Sequence, residues 1–244
     1  MWLLNHRTTL GEIATESLSS LLTMIPEDSW RADTRPKNNT RFQNTNTLWF
    51  KTSPLSNDQN FYTFDCNQHL NQMLLAEYQN LMVNLLTIMP GQIIKSGILR
   101  IHPRQSILKH IDGEHELHKF CHRIMIPFNH SDQIQLFFTV IDQQQRCYDI
   151  LDSYEKNTVY ALNSFLPHWV NNVSDQYYYC YVGDIYPDSL GSYIKVHHYG
   201  RYDRQRFNSL AIDDNQILTN GLPRWAEIYQ QQKLFWANWK SPGV

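Results

Sequence analysis

Histidine, the commonest protein metal ligand and a frequent acid–base residue, is concentrated in one part of this chain. Six of the eleven histidines lie between residues 102 and 130. Within that stretch, His110 and Asp112 are two residues apart, and residues i and i+2 of a strand project from the same face. An imidazole and a carboxylate on one face suit Fe(II), and a distant histidine would complete a triad with three open coordination positions.

The candidate for the distant ligand is His168, which follows His110 by 58 residues. It lies in Leu166-Pro167-His168-Trp169-Val170, between a strand-like run and the tyrosine-rich segment that starts at Tyr177. Taken alone, such a residue is best interpreted as a buried histidine hydrogen-bonded within a β core. Because His110 and Asp112 lie several predicted strands upstream, we favour a shared metal site.

Two zinc patterns in the same stretch are weaker. The run His115-Glu116-Leu117-His118-Lys119 is a near miss for the H-E-x-x-H pattern, since the position of the second ligand is occupied by lysine. His118 and His122 have the four-residue spacing of a helical zinc pair. The segment runs from a polar loop into an apparent strand, however, so solvated loop histidines are the preferred interpretation.

The elements that must position these residues follow from hydrophobic periodicity. Helical stripes are predicted over residues 10–25 and 70–88, ending at Pro26 and at Pro90-Gly91. Residues 92–186 contain short apolar or alternating runs at the spacing of an all-β sandwich or barrel. The predicted strands include Ile98–Ile101, Ile107–Leu108, Arg123–Phe128, Ile134–Val140, Cys147–Leu151, Val159–Leu162 and Tyr177–Val182.

The chain is therefore predicted to be a single domain over residues 1–244, in three parts. Residues 1–91 supply N-terminal helices and leading strands, and residues 92–186 form the β core. Residues 187–244, rich in tryptophan and tyrosine, are predicted to be a helical aromatic cap over the sheet or one of its mouths.

Composition excludes several classes of protein. The formal net charge is −2, with 21 basic and 23 acidic residues, so no basic field for nucleic acid is expected. No apolar run is long enough for a membrane helix, and the N-terminus lacks the pattern of a signal peptide. The four cysteines are far apart, which favours a reduced, cytoplasmic protein.

An arginine within a predicted core strand adds a second chemical clue. The segment Cys121-His122-Arg123-Ile124-Met125-Ile126-Pro127-Phe128 places Arg123 among apolar neighbours. Burying a guanidinium is costly unless it meets an anion. This strand is therefore expected to present Arg123 to an anionic ligand, and the alternative is an arginine that reaches the surface and pairs with a carboxylate.

Together, the H-x-D pair, the R-x-x-x-P strand and the H-x-x-x-N-x-S-D segment resemble the aspartyl/asparaginyl β-hydroxylase-like dioxygenases, which include free-proline hydroxylases. The resemblance is best over residues 92–186 and weaker over residues 9–64. It implies a mainly β protein with flanking helices around a double-stranded β-helix, a cupin-like jelly roll. It also implies His110, Asp112 and His168 as Fe(II) ligands and Arg123 as a contact of the co-substrate 2-oxoglutarate.

Two positions depart from the family pattern. Ten residues after the distal histidine, these enzymes usually carry an arginine for the far carboxylate of 2-oxoglutarate, whereas this chain has Tyr178. A tyrosine hydroxyl donates one hydrogen bond but no positive charge. Either another cation, for which Arg100 is the candidate, reaches the co-substrate beside Tyr178, or co-substrate binding is weak or different. Met125 stands where some relatives have a histidine. Asp112, in contrast, argues against a halogenase, which needs that coordination position for halide.

The resemblance implies a hydroxylase that uses Fe(II), 2-oxoglutarate and O2, with ascorbate as a reductant. Its substrate would be an amino acid, an amino-acid-derived metabolite or a residue within a peptide, with no nucleic-acid or membrane partner. Two alternatives stay open: an iron oxygenase independent of 2-oxoglutarate, which Tyr178 favours, and a β-barrel that only binds a ligand.

Overall fold

The computed structural model describes residues 6–30, 45–51, 68–110, 121–129, 132–141, 147–164 and 167–188. The helices are α1 (Glu16–Leu22), a short 3-10 helix (Glu27–Ser29) and α2 (Gln68–Ile88). The strands are β1 (Arg7–Glu12), β2 (Thr45–Lys51), β3 (Gly91–Ile101), β4 (Ser106–His110), β5 (His122–Pro127), β6 (Ile134–Ile141), β7 (Cys147–Asp152), β8 (Thr158–Leu162), β9 (His168–Asn172) and β10 (Tyr178–Pro187). The described chain is thus mainly β with few helices.

The strands form two antiparallel sheets. One has six strands in the order β1-β8-β5-β10-β3-β2, and the other has four in the order β4-β9-β6-β7. An apolar layer lies between the sheets and takes residues from both of them. We call it the inner layer; its buried members are Ile101, Ile107, Met125, Leu136, Phe138, Tyr160, Tyr178 and Cys180.

The opposite face of the six-stranded sheet is covered by the helices, and this contact forms the outer layer. Leu74 and Leu85 of α2 are fully buried there, together with Leu22 of α1 and strand residues such as Ile98 and Ile124. Helix α2 repeats its apolar residues at helical spacing, which is why one stripe faces the sheet. No helix in the described part of the chain is long and apolar enough to cross a membrane.

The predicted helix over residues 70–88 is confirmed, and so are the predicted strands, although β3 extends back to Gly91. The helix predicted over residues 10–25 is wrong in its first half, because Leu10 lies in β1 and only Glu16–Leu22 is α-helical. Pairing of β1 with β8 overrides the local periodicity there. The strand predictions missed β9. The predicted cap lies outside the described residues, except for its first two positions, because the described residues end at Asp188.

Candidate metal centre

Two of the three predicted metal ligands lie side by side in the structure. His110 ends β4, His168 begins β9, and the two residues are directly opposite in the antiparallel register. Their ring centroids are 4.4 Å apart with an interplanar angle of 50°. Phe138 of the inner layer stacks on His168 at 5.7 Å, so the pair belongs to the space between the sheets.

The separation of the two ring centroids is close to that of two imidazoles bound to one ion. Two imidazoles that bind one ion at right angles, each at about 2.1 Å, have ring centroids about 4.5 Å apart. Nδ1 of His110 donates a hydrogen bond to the Leu108 carbonyl at 2.8 Å. In the neutral ring the lone pair is therefore on Nε2, and histidine ligands in proteins are commonly oriented in this way by a backbone carbonyl.

The third predicted ligand, Asp112, lies outside the described residues. Within the part of the chain that the structure describes, no group of three His, Cys, Asp or Glu side chains could hold a metal. Of the zinc alternatives, His115 and His118 also lie outside the described residues. His122 is fully buried in β5, opposite Ile185, whose side chain belongs to the outer layer.

Arg123 lies on the face of β5 that carries Met125, and Met125 contributes to the inner layer. Its Nε donates to Oδ1 of Asp184 at 2.7 Å, and both side chains are largely buried. Arg7, Leu162, Arg123 and Asp184 follow one another across β1, β8, β5 and β10 in register. The inner face of the six-stranded sheet therefore carries a row with two guanidinium groups.

Tyr178 begins β10 and belongs to the inner layer, opposite Ile101 of β3. Complete burial raises the pKa of its phenol well above the ordinary value, so the side chain is a neutral hydrogen-bonding group. Cys180, next on the same face, has its pKa raised to about 12 by burial. Neither side chain supplies a charge between the sheets at neutral pH.

The expectation that Arg100 projects beside Tyr178 is wrong. Tyr178 pairs with Ile101 in β3. Because side chains alternate along a strand, Arg100 points to the face of the sheet opposite to that of Ile101 and Tyr178. Arg100 is 2% exposed and lies between the rings of Trp30 and Tyr177, with its guanidinium carbon 4.4 Å from each centroid.

Its charge is balanced on that same face. Both terminal nitrogens of Arg100 donate to Glu27, at 2.8 and 2.6 Å, and Nε and one terminal nitrogen donate to Asn46. The hydrogen bond from Arg100 lowers the pKa of Glu27. Arg100 therefore joins the N-terminal segment to the sheet, and the structure does not bring it to the histidine pair.

A polar group that sequence reasoning missed lies where the edges of the two sheets meet. Arg7 of β1 donates to both oxygens of Asp152 in β7, at 2.5 and 3.1 Å, and His6 donates from Nε2 to Asp152 at 2.7 Å. The guanidinium carbon of Arg7 lies 4.8 Å from the centroid of the Tyr160 ring. Burial alone would raise the pKa of Asp152, but the hydrogen bonds from His6 and Arg7 outweigh it and lower this pKa to about 2.

The ring of His6 also contacts Phe138, at 5.0 Å, and so connects this group to the histidine pair. The sequence signal for this group is limited to the polar pair His6-Arg7. Local periodicity predicts a helix from residue 10, whereas residues 7–12 form a strand that pairs with β8.

No protein-family model matches the chain, and no curated protein sequence matches it. Solved structures of 2-oxoglutarate–Fe(II) oxygenases do resemble it. A prolyl-4-hydroxylase from Pseudomonas putida is 13% identical with a TM-score of 0.44, over 75% of this chain and 94% of that one. A member of the 2OG-Fe(II) oxygenase family from Burkholderia pseudomallei is 13% identical with a TM-score of 0.39, over 68% and 74%.

A third similar structure is a prolyl hydroxylase from Trichoplax adhaerens in complex with a hypoxia inducible factor peptide fragment. It is 13% identical with a TM-score of 0.45, over 75% of this chain and 84% of that one. The structural neighbours of this chain thus include 2-oxoglutarate–Fe(II) oxygenases and prolyl hydroxylases.

Proposed function

We propose that this protein is an Fe(II)/2-oxoglutarate-dependent dioxygenase that hydroxylates an amino acid, an amino-acid-derived metabolite or a peptidyl residue. The observation that carries the proposal is the His110–His168 pair, because two residues 58 positions apart meet with centroids 4.4 Å apart. A facial set of two histidines and one carboxylate leaves positions open for co-substrate and O2. Asp112, two residues after His110, is the proposed carboxylate.

The strand order supports a double-stranded β-helix as the core. From β3 to β10, consecutive strands alternate between the two sheets, apart from the β6–β7 hairpin, which stays within one sheet. This order is expected when two chain segments wind together into a jelly roll. Strands β1 and β2 then extend the larger sheet at its two edges. A single domain and a cytoplasmic location stay predictions from the sequence.

The proposed reaction assigns roles to the metal ligands, to the Leu108 carbonyl and to the inner layer. His110, Asp112 and His168 would hold Fe(II), and the Leu108 carbonyl orients the His110 ring by accepting from Nδ1. When bound, iron, 2-oxoglutarate and O2 supply the oxidation that places a hydroxyl on the substrate and releases succinate and CO2. The inner layer excludes water from one side of the site.

For the co-substrate, we propose that Arg123 contacts a carboxylate and that the neutral Tyr178 hydroxyl donates a hydrogen bond to the distal one. Arg123 already pairs with Asp184, which is 6% exposed, so the guanidinium is held in a fixed orientation on the inner face. A guanidinium can engage two carboxylates through different edges because it has five N–H donors. Burial of a carboxylate between the sheets requires such partners.

A second candidate function is an iron oxygenase that takes its electrons from the substrate and does not use 2-oxoglutarate. It is favoured by the placement of Tyr178, whose described neighbours in the inner layer are apolar or aromatic, with Arg100 on the other face. This candidate shares the histidine pair and differs only in the co-substrate.

Release of succinate from 2-oxoglutarate, in the presence of Fe(II) and ascorbate, tests the first proposal against the second. We expect release by the wild type and none by His168→Ala, whereas His69→Ala, an exposed position on α2, should behave as the wild type. Iron binding without succinate release would favour the second candidate. Absence of both would contradict the metal site itself.

The co-substrate residues are tested by titrating 2-oxoglutarate against two variants. Arg123→Lys should raise the 2-oxoglutarate requirement substantially, since an ammonium cannot reproduce the fork of a guanidinium. Tyr178→Phe removes a single hydroxyl and should raise it less. An unchanged requirement in Arg123→Lys would discard the role of that residue.

A further inference from the structure

The outer face of the four-stranded sheet, which points away from the inner layer, carries an apolar row that crosses all four strands. Phe137 of β6, whose two sequence neighbours belong to the inner layer, lies opposite Leu151 of β7 and Trp169 of β9. The rings of Phe137 and Trp169 stack at 4.9 Å with an interplanar angle of 4°. The two ends of the row, Leu151 and Leu108 of β4, are 59% and 53% exposed. We call this row the far face; a row of exposed apolar side chains of this kind marks a contact surface.

A β-bulge connects the far face to the histidine pair. In the register of β4 with β9, Leu108 and Lys109 both stand opposite Trp169, which is the two-to-one arrangement of a bulge. The ammonium of Lys109 lies 4.4 Å from the centroid of the Trp169 ring and donates to Asp149 at 2.9 Å. The carbonyl of Leu108 accepts the hydrogen bond that orients His110. Whatever packs on the Leu108 side chain therefore also acts on the backbone that holds this ligand.

The two sheets differ in what lies on their outer faces. Both described α-helices pack on the six-stranded sheet, where Leu74 and Leu85 of α2 are fully buried. A sheet face with large apolar side chains is stable when another element covers it. An amphipathic helix is the covering element that this chain already uses on one sheet, so the same kind of element suits the far face.

The sequence contains a further segment with the apolar stripe that this contact requires. Its large apolar residues recur at intervals of three, four and seven, which is the spacing of one helix face: Trp225, Ile228, Tyr229, Trp236 and Trp239. Residues 225–239 contain three of the seven tryptophans of the chain, and their one acidic and one basic residue balance. The segment lies outside the described residues. It is apolar on one side and brings no net charge to the Lys109–Asp149 pair.

The intervening chain is long enough for this segment to reach the far face. The described residues end at Asp188, whose amide donates to the Pro90 carbonyl at 3.2 Å beside the start of β3. Trp225 follows Asp188 by 37 residues. An extended chain spans about 3.3 Å per residue and packed sheets are about 10 Å apart, so this length is several times the distance between the two sheets.

We propose that residues 225–239 of this chain lie as an amphipathic helix on the far face, with their aromatic stripe against the apolar row. Each sheet is then covered on its outer side by helix. Strands β4 and β9, which carry the two histidines at adjacent ends, gain a support on that side, and the bulge that orients His110 is fixed. The inference does not depend on the proposed reaction.

Photo-cross-linking in the full chain tests which segment occupies the far face. The cross-linking residue p-benzoylphenylalanine replaces Leu151 and, in the control, Val83, which is 66% exposed on α2. The sample is an equal mixture of unlabelled and heavy-isotope-labelled chains, and linked peptides are identified by mass spectrometry. We expect position 151 to link to residues 225–239 with both peptides carrying the same label. Position 83 should give no link to that segment.

Thermal unfolding tests whether the far face is buried. Leu151→Asp should lower the thermal midpoint by at least about 5 °C, because a carboxylate buried without a partner destabilises the fold. Val83→Asp makes a similar change on the exposed surface of α2 and should leave the midpoint nearly unchanged. When Trp236→Ala and Trp239→Ala have already removed the aromatic stripe, Leu151→Asp should have little further effect, since contacting residues are not additive.

Links from position 151 that join differently labelled chains would place a second copy on the far face and overturn the inference. Links to other segments, or none, would overturn it too, and so would equal midpoints for Leu151→Asp and Val83→Asp. Neither measurement needs iron or turnover, so a failure of the proposed function leaves this result unaffected.

Discussion

Both faces of the six-stranded sheet are buried, but their chemistry differs. The outer layer, under α1 and α2, is a large cluster of aliphatic and aromatic residues, and the polar side chains buried on that face include Arg100, which is paired with Glu27 and Asn46. The inner layer mixes apolar residues with tyrosine, cysteine and the histidine pair, and charged rows border it. Most of the buried apolar residues lie on the helix-covered face of the sheet, and the candidate chemistry lies on the other face.

Arg100 and Arg123 show what this difference means for a single residue type. Both are arginines in central strands of the same sheet, and both pair with a carboxylate. Arg100 is enclosed between Trp30 and Tyr177 on the helix side, whereas Arg123 lies on the face shared with Met125 and Tyr178. The face to which an arginine points therefore decides whether it can serve the site.

The largest expected effect is the loss of metal from the inner face. His110→Ala and His168→Ala should each abolish turnover and lower Fe(II) affinity, while the urea midpoint should change little because no apolar contact of the outer layer is removed. Iron content after anaerobic reconstitution and urea unfolding measure the two effects separately. Full iron occupancy in either variant would break the distinction between the two faces.

The converse change is made on the outer face. Leu85 of α2 is fully buried, so Leu85→Ala should cost about 2–5 kcal/mol in the free energy of unfolding through lost contacts and a residual cavity. Val83, 66% exposed on the same helix, is the control, and Val83→Ala should change this free energy by less than about 0.5 kcal/mol. Iron content should be normal in both variants, as measured on the folded protein.

A smaller effect is expected from the ion pair of the outer face. Glu27→Gln leaves the guanidinium of Arg100 buried without its carboxylate and should lower the free energy of unfolding by about 1–3 kcal/mol. The 2-oxoglutarate requirement should not change, in contrast to Arg123→Lys. A raised requirement in Glu27→Gln would show that the outer ion pair is coupled to the site.

The smallest effect concerns pH and the group at the sheet edges. The pKa of Asp152 is lowered to about 2. The charged carboxylate therefore stabilises the fold above the ordinary aspartate pKa of about 4, by on the order of 1–2 kcal/mol, and this contribution is lost as the pH falls towards 2. Asp152→Asn should be less stable than the wild type at pH 7, with a difference that narrows below pH 4.

Unfolding by urea between pH 3 and pH 7 measures this difference. The matched control is Asp175→Asn, whose partner Arg104 lies in an exposed surface pair, and its urea midpoint should equal that of the wild type. A constant gap between Asp152→Asn and the wild type over the whole range would mean that the charge of Asp152 does not contribute.

The local pattern of apolar residues was sufficient to predict the helix and the strands that have strong periodicity. The stripe over residues 70–88 predicted α2, and the alternating runs after residue 92 predicted most of the strands that form the two sheets. The residue types and the H-x-D spacing also made His110 and His168 candidate ligands before any pairing was known. The helix and the strands depend on neighbours within a few residues, so the sequence by itself determined them.

The pairing of strands that are far apart in the sequence decided which residues meet and which face of the sheet each side chain occupies. His110 meets His168 only because β4 and β9 are adjacent in that register, and β1 is a strand only because β8 lies beside it. Arg100 lies in a strand that is buried on both faces, so the pattern of apolar residues does not indicate which face of the sheet its side chain occupies. A shift of one residue in register would exchange the faces of Arg100 and Ile101, and cross-strand hydrogen bonds between residues far apart in the chain fix that register.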